Sequence, residues 1–125
     1  MKPGEAREEA LRILYEADLR GAAPKLNGLH QKVAAVVSGV LEVIDDLDRA
    51  IGEASTSWRV ERMPAVDRNV LRIALWELRT REATPIAVII SEGVRLAKKY
   101  STDRSGAFVN GVIARLAAER TRASQ

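Results

Sequence analysis

Apolar residues recur at three- and four-residue spacing along almost the whole chain, a pattern that fits helices and little else. That spacing places successive apolar side chains on one face of a helix, which must then be buried against another helix. The first stripe is Ala6, Ala10, Ile13, Leu14 and Ala17, and it predicts a helix over 5–20 with Gly21 as its stop. Gly21–Gly28 carries two Gly, one Pro and an Asn and reads as a loop. Val33, Val36, Val37, Val40, Ile44, Leu47 and Ile51 then predict one long helix over 29–54, ended by Ser55-Thr56-Ser57. Trp58 to Met63 reads as a short connector.

Two prolines mark the next helix starts, because the missing N–H of proline is harmless in a first turn. Pro64 opens a helix bearing Val66, Val70, Leu71, Ile73, Ala74, Leu75 and Leu78, with Asp67 placed to favour the helix dipole. Thr84-Pro85 repeats the signal with Thr84 as cap, for a helix bearing Ile86, Ile89, Ile90, Val94, Leu96 and Ala97. Val88-Ile89-Ile90 is β-branched, but its flanks keep helical spacing. Ser101 to Gly106 reads as a polar loop before a last helix over 107–122 on Phe108, Val109, Val112, Ile113 and Leu116. The expectation is an all-α bundle.

With 125 residues, 46% hydrophobic and 30% charged, the chain has the size of one domain and enough apolar surface for a core. Aromatic residues are 4%, so that core rests on Leu, Ile, Val and Ala. There is no cysteine, which excludes disulfides, thiolate catalysis and cysteine metal sites. The single histidine, His30, cannot make a histidine-rich metal centre and reads as a helix cap after the loop. No apolar run is long enough to span a bilayer, and MKPGEAREEA is too charged for a signal peptide, which together point to a cytoplasmic protein.

Charge is unevenly spread. Residues 95–125 hold seven basic and two acidic side chains, whereas 21–57 hold three and five. A basic last quarter suits an anionic partner, and nucleic acid is the commonest one; a solvated helical face is the plainer alternative. Lys2, Arg7, Lys98, Lys99, Arg104 and Arg115 are the candidate cations, and Tyr15, Tyr100 and Phe108 the candidate base platforms. For an enzyme there is no phosphate loop and no cofactor signature. A cluster of Arg12, Arg72, Glu77 and Lys98, in the manner of the small helical chorismate mutases, is the arrangement left to consider, and spacing gives it no support.

Asp67-Arg68-Asn69-Val70-Leu71-Arg72-Ile73-Ala74-Leu75-Trp76-Glu77-Leu78 resembles the central helix of the NusB family of bacterial transcription antitermination factors. Pro85, then Ile90-Ser91-Glu92-Gly93-Val94-Arg95-Leu96-Ala97-Lys98, is similar to the helix that follows in that family. Ser105 and Phe108-Val109-Asn110-Gly111-Val112 resemble its signature, and Ala6-Arg7-Glu8 with Ala10, Leu14 and Tyr15 its first helix. The pieces run in order from Ala6 to Leu116.

The resemblance implies two packed helical subdomains, about 1–57 and 58–125, and no catalysis, metal or cofactor. It implies binding of boxA RNA jointly with NusE, a small-subunit ribosomal protein, and assembly into the RNA polymerase antitermination complex, chiefly on ribosomal RNA operons. Some of the family's surfaces also allow self-association as a homodimer. Carried onto this chain, Lys2, Arg7, Tyr15, Arg104, Ser105 and Phe108 fall at RNA-binding positions, and Asp67 and Phe108 on the NusE side. Asn110-Gly111 reads as structural.

Three features depart from the family. Gly4 and Glu5 leave only Lys2 and Arg7 as cations before and in the first turns, where the family carries several arginines. The Gly21–Gly28 loop is short. Arg104 stands where an acidic residue is common, and Ser91 where Asn is usual. Arg104 is expected to restore part of the missing positive charge. Two other readings fit the same residues: a protein–protein adaptor with little RNA binding, and the NusB-like domain of ribosomal RNA cytosine methyltransferases. The second needs a Rossmann-like domain, for which these residues hold no Gly-rich βαβ pattern.

Overall fold

The structure, a computed structural model, describes residues 1–123; among them are six α-helices, one 3-10 turn and no strand. The helices are α1 (Pro3–Arg20), α2 (Gln31–Glu42), α3 (Ile44–Ala54), α4 (Ala65–Thr80), α5 (Ile86–Tyr100) and α6 (Asp103–Ala123), with the 3-10 turn at Val60–Arg62. None is long and apolar enough to cross a membrane.

α4 is the hub. It packs against all five other helices, and every residue from Asn69 to Leu78 on it is buried. A helix covered all round is a core element. Leu71 and Leu75 point into the centre with Leu11 of α1, Val37 of α2, Leu47 and Ile51 of α3, Ile89 of α5 and Ile113 of α6, all essentially inaccessible. Each such side chain contributes roughly 1.5–3 kcal/mol of transfer free energy. Trp76 lies on Gly39 of α2, where an added Cβ would sit 2.5 Å from the indole. Only glycine lets α2 approach that ring.

Helix ends follow local chemistry. Gly21 takes φ 64°, and the Ala22 N–H donates back to the Ala17 carbonyl at 3.2 Å, closing α1. His30 caps α2, its Nδ1 accepting from the Lys32 N–H at 3.1 Å. α4 ends under Arg120 of α6. That guanidinium donates to the carbonyls of Leu78 (3.0 Å), Glu77 (3.1 Å), Arg81 (3.1 Å) and Thr84 (2.6 Å), tying the end of α4 and the turn that follows it to α6.

Four expectations about element limits are corrected. The long helix over 29–54 is two helices, broken at Val43 (φ −124°, ψ 23°), where the Val43 N–H turns back to the Val40 carbonyl. No Pro or Gly marks the break; it lets α3 swing onto α4 and α6 while α2 stays on α1 and α4. Pro64 and Pro85 are cap residues with extended ψ, so α4 and α5 begin one residue later and Thr84 precedes the cap. α1 begins at Pro3, before the expected Glu5. α6 begins at Asp103, because Thr102 Oγ1 accepts from the Ser105 N–H at 3.0 Å and caps it. Gly106, which suggested a loop, is a helical residue crossed by the Lys98 side chain.

Candidate nucleic-acid interface

α6 is two-faced. Val109, Val112, Ile113 and Leu116 point inward and are buried. Arg104, Phe108, Gly111 and Arg115, spaced at four, three and four residues, form a second strip that flanks the buried one. Arg104 and Arg115 are exposed and Phe108 is half-buried. Neither arginine pairs with a carboxylate among the described residues; Arg115 donates its Nε to the Ala54 carbonyl at 2.6 Å. Trp58, from the connector before the 3-10 turn, packs on Phe108 with ring centroids 5.0 Å apart and planes 55° apart. Arg59 and Arg62 stand beside it, lining an open hollow with Ser57 and Trp58.

The N-terminus of α6 is anchored from below. The Ser105 hydroxyl is buried, 2.8 Å from that of Ser101, and accepts from Thr102 Oγ1 at 3.3 Å. Asp67, in the first turn of α4, is 0% exposed, and no hydrogen bond closes on either carboxylate oxygen. Burial pushes its pKa above the usual aspartate value, with the nearby Ser105 hydroxyl and its own backbone N–H acting in the opposite direction. Across the same end, Leu11, Arg12, Tyr15, Val66 and Tyr100 line an apolar notch. Tyr15 and Tyr100 are both more than a third exposed, so their rings form part of the surface.

The two N-terminal cations differ. Lys2 is exposed at the start of α1. Arg7 is buried: its Nε and Nη2 donate to Glu77 at 2.8 and 2.9 Å, and its Nη1 meets Glu92 Oε1 at 3.4 Å. The hydrogen bonds to Glu77 raise the Arg7 pKa further, against the effect of burial. Thus Lys2, Tyr15, Arg104 and Phe108 all reach the surface, Arg7 and Asp67 do not, and Ser105 lies just beneath it. The residue that sequence reasoning passed over is Trp58. Its signal was a tryptophan between polar residues in a short connector, followed by two arginines.

The enzyme-like cluster does not form. Glu77 is held by Arg7, Arg72 by Asp48 and Asp18, and Arg12 pairs with Glu9 on the surface. No group of three or more His, Asp or Glu among the described residues could hold a metal ion.

A small helical bundle whose unspent charge and aromatic surface lie on an outer face belongs to the class that works by surface recognition. Residues 4–118 match the model of the NusB family, and the chain belongs to that family. It is 45% identical over 123 residues to the transcription antitermination protein NusB of Sorangium cellulosum, covering 89% of this chain and 88% of that protein. Its fold is similar to that of T. maritima NusB, with a TM-score of 0.87 at 30% identity over 95% of this chain and 92% of the other. It is also similar to a chain of the crystal structure of antitermination factors NusB and NusE in complex with dsRNA, with a TM-score of 0.79, 27% identity and coverage of 94% and 96%.

Proposed function

We propose that this chain is a transcription antitermination factor that binds boxA RNA together with NusE and joins the RNA polymerase antitermination complex, mainly on ribosomal RNA operons. It acts in the cytoplasm and makes or breaks no bond. The observation that carries the reading is the outer face of α6, where unpaired arginines flank aromatic rings in a NusB-family bundle. Cations neutralise phosphates, and rings accept unstacked bases. A relative with this fold is seen with NusE and dsRNA, and a second protein beside the bundle would lengthen the surface and raise affinity by avidity.

In this reading Lys2 and Arg104 contact phosphate, and Tyr15 and Phe108 meet bases. Ser105 acts from beneath, in the hydroxyl cluster at the first turn of α6, and Asp67 lies buried in the first turn of α4, on the side assigned to NusE. Arg7 contributes by fixing α1 against α4 and α5. The burial of Arg7 also favours a second reading, a protein adaptor with weak RNA binding, since it removes one cation from an N-terminus already poor in them.

The deciding experiment measures binding of boxA RNA and of a scrambled RNA at two salt concentrations, with and without NusE. Preference for boxA that tightens with NusE and weakens with salt is expected. Equal, weak binding of both RNAs even with NusE present would overturn the RNA reading in favour of the adaptor.

A further inference from the structure

We infer that Trp58 is a base-stacking platform, and that with Arg59 and Arg62 it extends the RNA-binding face beyond Phe108 to a single-stranded nucleotide next to the one Phe108 meets. The inference rests on the RNA reading proposed above and adds a contact to it.

The chain holds two tryptophans, and the fold treats them oppositely. Trp76 is 8% exposed and lies between Gly39 and the Arg81 guanidinium, which sits 5.0 Å from its ring centroid. Trp58 is 45% exposed. A large apolar ring left in water loses the transfer free energy that its burial would supply. Yet Trp58 is not loosely placed. Ser55 Oγ accepts from the Trp58 N–H at 3.2 Å and donates to the Trp58 carbonyl at 2.7 Å, so one hydroxyl clamps both ends of the residue's backbone. Phe108 supports the ring from one side at a tilted angle. What results is an indole held in position with much of its surface open.

The surroundings choose the occupant. Trp58, Ser57, Arg59 and Arg62 line an open hollow of about 480 Å³. Arg59 reaches only Glu61, at 3.9 Å and almost fully exposed, and Arg62 makes no ion pair among the described residues. Arg115 brings a further cation from α6, held at the Ala54 carbonyl. The ring is bordered by guanidinium groups, whose summed positive charge favours an anionic occupant. Cations spaced around an open aromatic face match the alternation of phosphate and base along a single strand. Trp58 itself packs on Phe108, so a strand lying along Arg104 and Phe108 has its next base within reach of Trp58.

The test is a titration of the full chain with a short single-stranded boxA RNA, followed by tryptophan emission and independently by RNA anisotropy, on the wild type and on Trp58→Phe and Trp58→Ala. Emission is expected to be quenched in the wild type and not in Trp58→Phe, where the sheltered Trp76 alone reports. Trp58→Ala is expected to weaken RNA binding roughly tenfold, and Trp58→Phe to keep most of the affinity, because a stacked base needs only a ring. Unchanged helical circular dichroism and melting would exclude loss of fold in either variant. RNA bound by the wild type but equally by Trp58→Ala, with no quenching due to Trp58, overturns the platform and leaves the RNA reading standing. If Trp58→Ala instead spares RNA binding and weakens NusE binding, the hollow is a protein contact and the platform is overturned. No RNA binding by the wild type overturns both.

Discussion

Arg7 and Glu77, seventy positions apart, meet through two parallel hydrogen bonds of 2.8 and 2.9 Å beneath the surface where α1 crosses α4. Both side chains are 9% exposed, so each charge relies on the other in place of water. The Arg7→Ala variant strands the Glu77 carboxylate and is expected to lose about 3–5 kcal/mol of stability. Arg7→Lys cannot reproduce the paired geometry and should fall between. Replacing both partners by apolar residues of similar volume should recover much of the loss. Urea denaturation of the three variants decides it; a loss confined to RNA affinity, with stability intact, would make Arg7 an RNA contact instead.

Asp67 sets a pH dependence of unusual sign. Its carboxyl has a raised pKa in the folded chain because it is buried. The folded state therefore holds its proton over a window where the unfolded chain has released it, and stability from this group falls as pH rises through the folded pKa. Asp67→Asn should match the wild type at a pH below the ordinary aspartate range. It should become more stable by about 1 kcal/mol at neutral pH, where a buried charge without hydrogen bonds is most costly. Thermal melts of both proteins across that range would show the gap opening with pH. A constant gap, or a less stable Asn variant at neutral pH, would mean that the charge itself is held favourably.

Asp18 works the other way. Burial raises its pKa, but hydrogen bonds from Arg68 at 2.6 Å and Asn69 at 2.8 Å outweigh that and hold it low. Its contribution is fully present above the unfolded aspartate pKa and is lost as pH falls through the folded one. Asp18→Asn should remove part of the acid-side decline in stability, and should cost about 1–3 kcal/mol at neutral pH by releasing three partners. Acid titration followed by helical signal tests this.

Arg120 ties the end of α4 to α6 through four carbonyls. Arg120→Ala returns those oxygens to partial solvation and is expected to cost about 2 kcal/mol. Arg120→Lys should recover only part of that, since an ammonium cannot present the same planar set of donors. Chemical denaturation gives the numbers, and RNA affinity measured on the folded variants should stay near that of the wild type.

Arg104 carries no carboxylate partner among the described residues, so its charge is available to a polyanion. Arg104→Ala should lower the salt slope of RNA binding by about 0.7, the value for one phosphate on a single strand, with a several-fold loss of affinity at low salt. Arg104→Asp should lose more. An unchanged affinity for Arg104→Asp would place the strand elsewhere.

Helix identity could be read because apolar spacing is a local property, and α4 carried a broad enough stripe to be recognised as central. The break at Val43 could not, since nothing in the local chemistry of Leu41 to Asp45 asks for it; the demand comes from α4 and α6. The start of α6 was misplaced because Gly106 reads locally as a breaker, while Thr102 and Ser105 form a cap whose sequence signal is faint. At the site, Arg104 and Phe108 were accessible through the spacing of one helix. The fate of Arg7 depends on a contact seventy residues away, and Trp58 gains its significance only when Phe108 is beneath it.

α6 largely separates the side chains that hold the molecule together from those it offers outward, with Phe108 and Arg115 serving at the border between them. Its inner side chains are shared with α3, α4 and α5, while Arg104, Gly111 and Arg115 on the outer side belong to no neighbouring helix's apolar packing. Substitutions at Arg104 or Gly111 can therefore change what the bundle binds without first disturbing how it folds.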